Sequence, residues 1–207
     1  MSKIKLLSSN LINQIAAGEV IERPFSVIKE LVENSIDAES SQIDILIEDG
    51  GHKSIQVFDN GMGMSKEDLQ LAFQRHATSK IATQNDLAQI NTLGFRGEAL
   101  PSIASVSQLS AKSITKDSDD GFELTIHGGE VKSFEPIAGL QGTQILVKNL
   151  FYNIPARRKF LKKPDTEQRK IVKLIRQLML SNPQIGFSLS ANNKEIYKVT
   201  QSNLENR

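Results

Sequence analysis

The stretch Glu30-Leu31-Val32-Glu33-Asn34-Ser35-Ile36-Asp37-Ala38 can bury only one of its sides. At about 100° per residue, Ile28, Leu31, Val32 and Ile36 fall on one arc of a helix, and Glu30, Glu33, Asn34 and Asp37 on the opposite arc. Such a helix needs an apolar layer to lie on. It also sets Glu30 and Asn34, four residues apart, side by side on its polar face. A carboxylate can serve as a general base, and a carboxamide oxygen can ligate a hard cation. A plain solvated helix face has the same pattern, so this segment alone leaves both readings open.

The neighbouring sequence supplies the layer. Gln42–Glu48 alternates Ile43, Ile45 and Ile47 with Asp44, Leu46 and Glu48, which predicts a strand. Asp49-Gly50-Gly51 is a turn, Ser54–Phe58 a second strand, and Asp59 stands at its end. Further strands are expected near 106–115, 121–127, 130–136 and 143–148, with Gly128-Gly129 as a hairpin turn. A last hairpin over Phe187–Thr200 turns at Asn192-Asn193. Helices are expected over 10–22, ended by Pro24, over Lys66–His76 behind Ser65 as N-cap, from about Gly97-Glu98, and over 165–181 with Ile171, Leu174, Ile175 and Leu178 inward. Residues 80–96 are polar and aperiodic, a loop. The order predicts an α+β two-layer sandwich, a mixed, mainly antiparallel sheet covered by helices on one face.

Length and charge narrow the class. At 207 residues the chain fits one sizeable domain, or one and a fragment of another. With no cysteine, disulfide frameworks and thiolate metal sites are excluded, and His52, His76 and His127 lack metal-ligand spacing. No apolar run reaches membrane-spanning length and the N-terminus has no signal-peptide core, so a cytoplasmic protein without a membrane partner is expected. The net charge is only +1, but the charges are segregated. Residues 30–49 hold Glu30, Glu33, Asp37, Glu39, Asp44, Glu48 and Asp49 and no base, which suits a cation site. Residues 157–176 hold Arg157, Arg158, Lys159, Lys162, Lys163, Arg169, Lys170, Lys173 and Arg176 against Asp165 and Glu167, which suits phosphate or non-specific DNA contact, or a solvated helix face.

Three further constellations carry chemistry. Asp59-Asn60-Gly61-Met62-Gly63 puts a carboxylate at a strand end before a Gly-x-Gly turn. The carboxylate can accept an exocyclic N–H of adenine, and the glycines allow a flat ligand near the backbone. Gly94-Phe95-Arg96-Gly97-Glu98-Ala99-Leu100 is a glycine-rich helix start whose backbone amides can hold phosphate, and His76-Ala77-Thr78-Ser79-Lys80 adds hydroxyls and an ammonium. Gln141-Gly142-Thr143 opens a strand, and its hydroxyl would stand beside Asp59 if the two strands are neighbours.

In this order the sets resemble the GHKL ATPases, with the Bergerat fold. Within them the chain resembles the N-terminal part of the MutL mismatch-repair family. That likeness rests on Asn13–Val20, Lys29–Ala38, Arg75–Ile81, Gly94–Leu100 and Leu150-Phe151-Tyr152-Asn153-Ile154-Pro155-Ala156-Arg157-Arg158-Lys159-Phe160-Leu161. The resemblance implies ATP and Mg²⁺ as cofactors, Glu30 as the general base, Asn34 as the metal ligand, and Asp37 and Ala38 along the nucleotide. It implies Asp59 as the adenine reader with Gly63 beside the base, Thr143 as the partner of Asp59, and Thr78, Ser79, Lys80, Gly94, Phe95, Arg96, Gly97, Glu98, Ala99 and Leu100 as lid and phosphate segments. One departure is Glu39, where the family commonly has glycine after Asp-Ala.

The resemblance further implies an ATP-driven switch of mismatch repair. Nucleotide would order the N-terminal arm for self-association, and a mismatch-recognition protein of the MutS type would be a partner. Residues 1–202 would be the ATP-binding domain, and 203–207 the start of a linker to a second, transducer domain that carries an active-site lysine. The competing readings are a DNA-binding module with a vestigial nucleotide site and a histidine-type protein kinase. The intact Glu30, Asn34 and Asp59 speak against the first, and the settings of the three histidines against the second.

Overall fold

The computed structural model describes residues 5–7, 9–80, 93–94, 97–116, 118 and 120–203. In chain order the elements are α1 (Ser9–Val20), α2 (Pro24–Asp37), β1 (Gln42–Glu48), β2 (Ser54–Asp59), α3 (Lys66–Leu71), α4 (Ala99–Ser105), β3 (Gln108–Ile114), β4 (Asp120–His127), β5 (Glu130–Ala138), β6 (Gly142–Lys148), α5 (Pro155–Lys159), α6 (Pro164–Ser181), β7 (Gly186–Ala191) and β8 (Lys194–Val199). The strands form one eight-stranded sheet in the order β5-β4-β3-β6-β2-β1-β7-β8. Every neighbouring pair is antiparallel except β1–β7, which is parallel. The expected α+β sandwich with a mixed, mainly antiparallel sheet is the fold observed.

The two-residue period of the strands decides which face is covered. Ile43, Ile45, Ile47, Ile55, Val57, Leu109, Ala111, Leu124, Ile126, Ile145, Val147, Phe187 and Leu189 are all buried on one face, while Gln56, Lys112 and Gln144 between them are partly exposed. The helices lie on the buried face. α2 inserts Val27, Ile28, Leu31 and Val32, and α6 inserts Ile171, Leu174, Ile175 and Met179. Each such aliphatic side chain contributes about 1.5–3 kcal/mol on burial. This packing fixes the rotation of α2 and turns its polar arc away from the buried layer. α1 packs on α4, and α4 on β3 and β4.

Three expectations need correction or lie elsewhere. The helix expected over Lys66–His76 starts behind Ser65, whose Oγ accepts Asp68 N at 3.1 Å, but ends at Leu71. The chain then turns, with His76 in the left-handed region (φ 64°) and Arg75 Nη2 donating to Asn13 O at 3.3 Å. A continued helix would carry Arg75 and His76 away from these tertiary partners. α5, five residues behind Pro155, was too short to show a helical period. Of the loop expected over 80–96, residues 81–92 and 95–96 lie outside the described residues, as does the end of the expected linker at 204–207. Among the described residues, no helix is long and apolar enough to cross a membrane.

Candidate functional site

β2 and α2 build one half of the site. The period of β2 aims Asp59 at the helix-covered face, where it is 5% exposed. Ser35 lies on the buried stripe of α2 and donates from Oγ to Asp59 Oδ2 at 2.8 Å, and Gly61 N donates to Oδ1 at 2.9 Å. Burial pushes the Asp59 carboxyl above its ordinary value, against the hydrogen bonds of Ser35, Gly61, Thr143 and Ser40, which lower it. An ionised carboxylate has about four acceptor positions, so it can still take an N–H from a ligand.

β6 completes the floor beneath that carboxylate. Thr143 pairs with Asp59 in the β2–β6 register, as expected if the strands were neighbours. Its hydroxyl, however, pairs with Ser113 Oγ at 2.9 Å, and Ser113 Oγ in turn accepts Met64 N at 2.8 Å. Thr143 therefore braces the Gly61–Met64 turn through Ser113. Gly142 has φ 127°, and a Cβ there would strike the Asp59 carbonyl, so only glycine lets the strand start so close. Ala38 closes the side: its carbonyl accepts Met62 N at 3.0 Å, and a Cβ on Gly61 would lie 2.6 Å from that oxygen.

The polar arc of α2 forms the second half. Glu30 is 27% exposed at its side chain, with Lys29 Nζ 4.0 Å away and also 3.2 Å from Glu33. Burial raises the Glu30 carboxyl above its ordinary value, opposed by Lys29, reinforced by Glu33 and opposed again by Lys80. Four residues on, Asn34 Oδ1 accepts from Lys80 Nζ at 2.9 Å, and Asp37 Oδ2 pairs with the same ammonium at 2.6 Å. Asp37 also accepts Leu93 N at 3.1 Å and Gly94 N at 3.3 Å.

The remaining predicted residues gather on the same side. Lys80 N donates to Thr78 Oγ1 at 3.2 Å, and Ser79 is exposed. A Cβ on Gly97 would strike the Ala77 carbonyl, so the backbone at Gly97 lies against Ala77. Ala99 and Leu100 open α4, while Glu98 turns aside to His76 Nδ1 at 2.9 Å and Arg75 Nη1 at 3.6 Å. Gly63 (φ 70°) sits against the Ile114 carbonyl. Phe95 and Arg96 lie outside the described residues. Sequence reasoning missed Ser35 and Ser113. A hydroxyl on the apolar stripe of α2, four residues after Leu31, was the available signal for Ser35.

These groups have definite chemical capacities. A buried, wired acceptor stands at one end, a carboxylate raised toward neutrality at the other, and oxygen donors lie between them. Among the described residues no three His, Asp, Glu or Cys cluster as a metal cage. Asn34 Oδ1 and Asp37 Oδ2 nonetheless converge on one cation, the Lys80 ammonium. Two protein oxygens suit Mg²⁺, which typically takes its other ligands from phosphate and water.

Residues 21–147 match the family described as histidine kinase-, DNA gyrase B-, and HSP90-like ATPase. The DNA mismatch repair protein MutL of Streptococcus equi subsp. equi is 53% identical over 196 residues, covering 95% of this chain and 30% of that protein. MutL of Lactococcus lactis subsp. lactis is 54% identical over 198 residues, covering 96% and 30%. Among solved structures, the Aquifex aeolicus MutL ATPase domain complexed with ADP superposes with TM-score 0.72 at 34% identity, covering 90% of this chain and 67% of that one. The N-terminal domain of a DNA repair protein gives TM-score 0.77 at 30% identity, covering 94% and 58%. The chain belongs to the histidine kinase-, DNA gyrase B- and HSP90-like ATPases, and within them to the MutL mismatch-repair proteins. It spans about 30% of the length of the curated relatives it matches.

Proposed function

We propose that this chain binds ATP together with Mg²⁺ and hydrolyses it as the switch of a mismatch-repair protein. The observation that carries the reading is the buried Asp59 carboxylate held by Ser35 Oγ and Gly61 N, an acceptor maintained at an energetic cost with no cation paired to it among the described residues. Such a group is suited to the exocyclic amine of adenine, with Ala38, Gly63 and Thr143 around the ring. Thr78, Ser79, Lys80 and Gly94 to Leu100 supply amides, hydroxyls and an ammonium for the phosphates. Asn34 would hold Mg²⁺ with Asp37 nearby, and the metal supplies charge neutralisation at the phosphates when bound.

Glu30 serves as the base. Its raised carboxyl is closer to neutral operation than an exposed glutamate. It takes a proton from water as the water oxygen bonds to the γ-phosphorus. The bond from that phosphorus to the bridging oxygen breaks, and ADP and phosphate leave. Calorimetry with ADP and ATP, in Mg²⁺ and in EDTA, tests the binding, and Asp59→Ala is expected to weaken both nucleotides about tenfold or more.

The larger role follows from kinship. Residues 1–202 act as the ATP-binding domain, with 203–207 leading toward a transducer domain. Nucleotide binding promotes self-association through the N-terminal arm and engagement of a MutS-type recognition protein in the cytoplasm. DNA is held non-specifically by the basic pole. There, Arg158, Lys159, Lys162, Lys163, Arg169, Lys170, Lys173 and Arg176 are all exposed, and Lys170 and Lys173 join Arg23 along a groove of about 530 Å³. Arg157 is different: it lies 6.0 Å over the Phe151 ring and fills the space beside Gly18, so it braces α5 against α1.

A further inference from the structure

We infer that Asn34 and Asp37 hold one cation at a time, either the ammonium of Lys80 or the metal that accompanies a nucleotide, so that metal-loaded nucleotide enters by displacing Lys80. The inference rests on the nucleotide reading above and adds a selection step to it.

The geometry is specific. Lys80 Nζ lies 2.9 Å from Asn34 Oδ1 and 2.6 Å from Asp37 Oδ2. The Lys80 and Asp37 side chains are 20% and 8% exposed, so water screens the pair poorly. A carboxamide has a single carbonyl oxygen, and Asn34 already offers it to the ammonium. A Mg²⁺ ion sits about 2.0–2.1 Å from its oxygen ligands. At Asn34 it would stand within the contact distance of Nζ, and the two positive charges would repel across a poorly screened gap. Occupation is therefore exclusive.

Asp37 makes the exchange workable. Its carboxylate also accepts from Leu93 N and Gly94 N. Those two backbone donors remain when the ammonium leaves, so the carboxylate keeps its position for the incoming metal. A Cβ on Gly94 would lie 3.5 Å from Lys80 Nζ and 3.9 Å from Asn34 Oδ1, which places the Gly94 backbone against the same cation position. Nucleotide without metal has no reason to displace Lys80, because the ammonium itself pairs with phosphate. Lys80 is thus a positioning residue that lowers the metal dependence of binding, rather than simply another phosphate contact.

The test compares metal dependence, a quantity that a fixed phosphate contact would leave unchanged. ADP is titrated into this chain by calorimetry in Mg²⁺ and in EDTA, and the ratio of the two affinities is taken for the parental chain, Lys80→Met and Lys80→Arg. Thermal melting confirms that each variant is folded. Lys80→Met is expected to raise the ratio about fivefold or more, the lower end of coupling between sites that exclude each other. Lys80→Arg, which keeps a cation there, is expected to stay near the parental ratio. An unchanged or lower ratio in Lys80→Met overturns the exchange. If at the same time Asp59→Ala weakens ADP, the nucleotide reading stands without it. Failure of the parental chain to bind ADP in either buffer overturns both.

Discussion

Replacing Asp59 by asparagine separates what this carboxylate does for the fold from what it does for a ligand. The carboxyl is 5% exposed, and burial holds its affinity for protons above the ordinary value of 3.8. An acid whose folded pKa is raised binds its proton more tightly folded than unfolded. Stability therefore falls as pH rises from the unfolded value through the folded one, and the penalty is complete above it. Asparagine carries no such penalty. It also fits the existing contacts. Its Oδ1 can accept Gly61 N, as Asp59 Oδ1 does at 2.9 Å. Its Nδ2 can donate to Ser35 Oγ, whose own hydrogen then turns to Leu31 O, already 3.1 Å away. Oδ1, one Nδ2 hydrogen and the Ser35 hydroxyl thus keep partners, while the second Nδ2 hydrogen gains none.

For the ligand the same change is adverse. One of two acceptor positions becomes a donor, and the charge is lost. A hydrogen bond to a charged group is worth about 1.5–3 kcal/mol, so ADP affinity should drop about 10- to 150-fold. The assay is thermal unfolding of both proteins at pH 4 and pH 7.5 without nucleotide, with ADP calorimetry at pH 7.5. Asp59→Asn should melt higher at pH 7.5, with the gap shrinking toward pH 4, and should bind ADP poorly. A lower melting point at pH 7.5, a pH-independent gap, or ADP affinity within about twofold of the parent would refute the argument.

Glu30→Ala should leave ADP affinity within about twofold while lowering hydrolysis about 10²- to 10⁴-fold in a protein extended to the length of its MutL relatives; equal steady-state rates would remove Glu30 as the base. In the parental extended protein, the rate should climb with pH from above 4.5 through the raised Glu30 value, a rise that a pH–rate profile of the variant should lack. Glu39→Gly should stabilise the chain by about 0.5–1 kcal/mol, read as a higher denaturation midpoint, because Glu39, just past the Ala38 cap of α2, has φ 58°, which glycine adopts without steric cost. Reversing the charges of Lys162 and Lys163 should flatten the salt dependence of DNA binding by about 0.9 log units per lost contact, and an unchanged slope returns that surface to plain solvation. Arg157→Ala should lower the melting point with little change in that slope, since its guanidinium packs on Phe151 and beside Gly18.

Local patterns carried much of this architecture, for physical reasons. Gln42–Glu48 was legible to the residue because strict alternation needs only neighbours to declare a face. The helix at Glu30 was legible because its two arcs differ in polarity. The expected helix overran α3 because Arg75 and His76, beyond its end, obey Asn13 and Glu98, partners 62 and 22 residues away in sequence that no local signal records. The parallel β1–β7 pairing was equally invisible: hairpins announce themselves by their turns, whereas a crossover through five intervening strands and four helices does not.

The site divides along the same line. Glu30, Asn34, Asp37 and Asp59 were legible because each is a polar residue at a position that the apolar pattern defines. The interactions that tune them were not, because they join elements distant in the chain. Ser35 reaches Asp59 over 24 residues, and Lys80 reaches Asn34 and Asp37 over 46 and 43. Even so, Ser35 had a trace. A hydroxyl on the buried stripe of α2 needs an acceptor, and Leu31 O alone would have satisfied it. Its one hydrogen lies instead toward the nearer Asp59 Oδ2, so the helix and the strand end are tied by a hydrogen bond to a desolvated carboxyl. Such a bond weakens if either element shifts, so the packing of Leu31 and Val32 beneath α2 governs how well the carboxylate is held for its ligand.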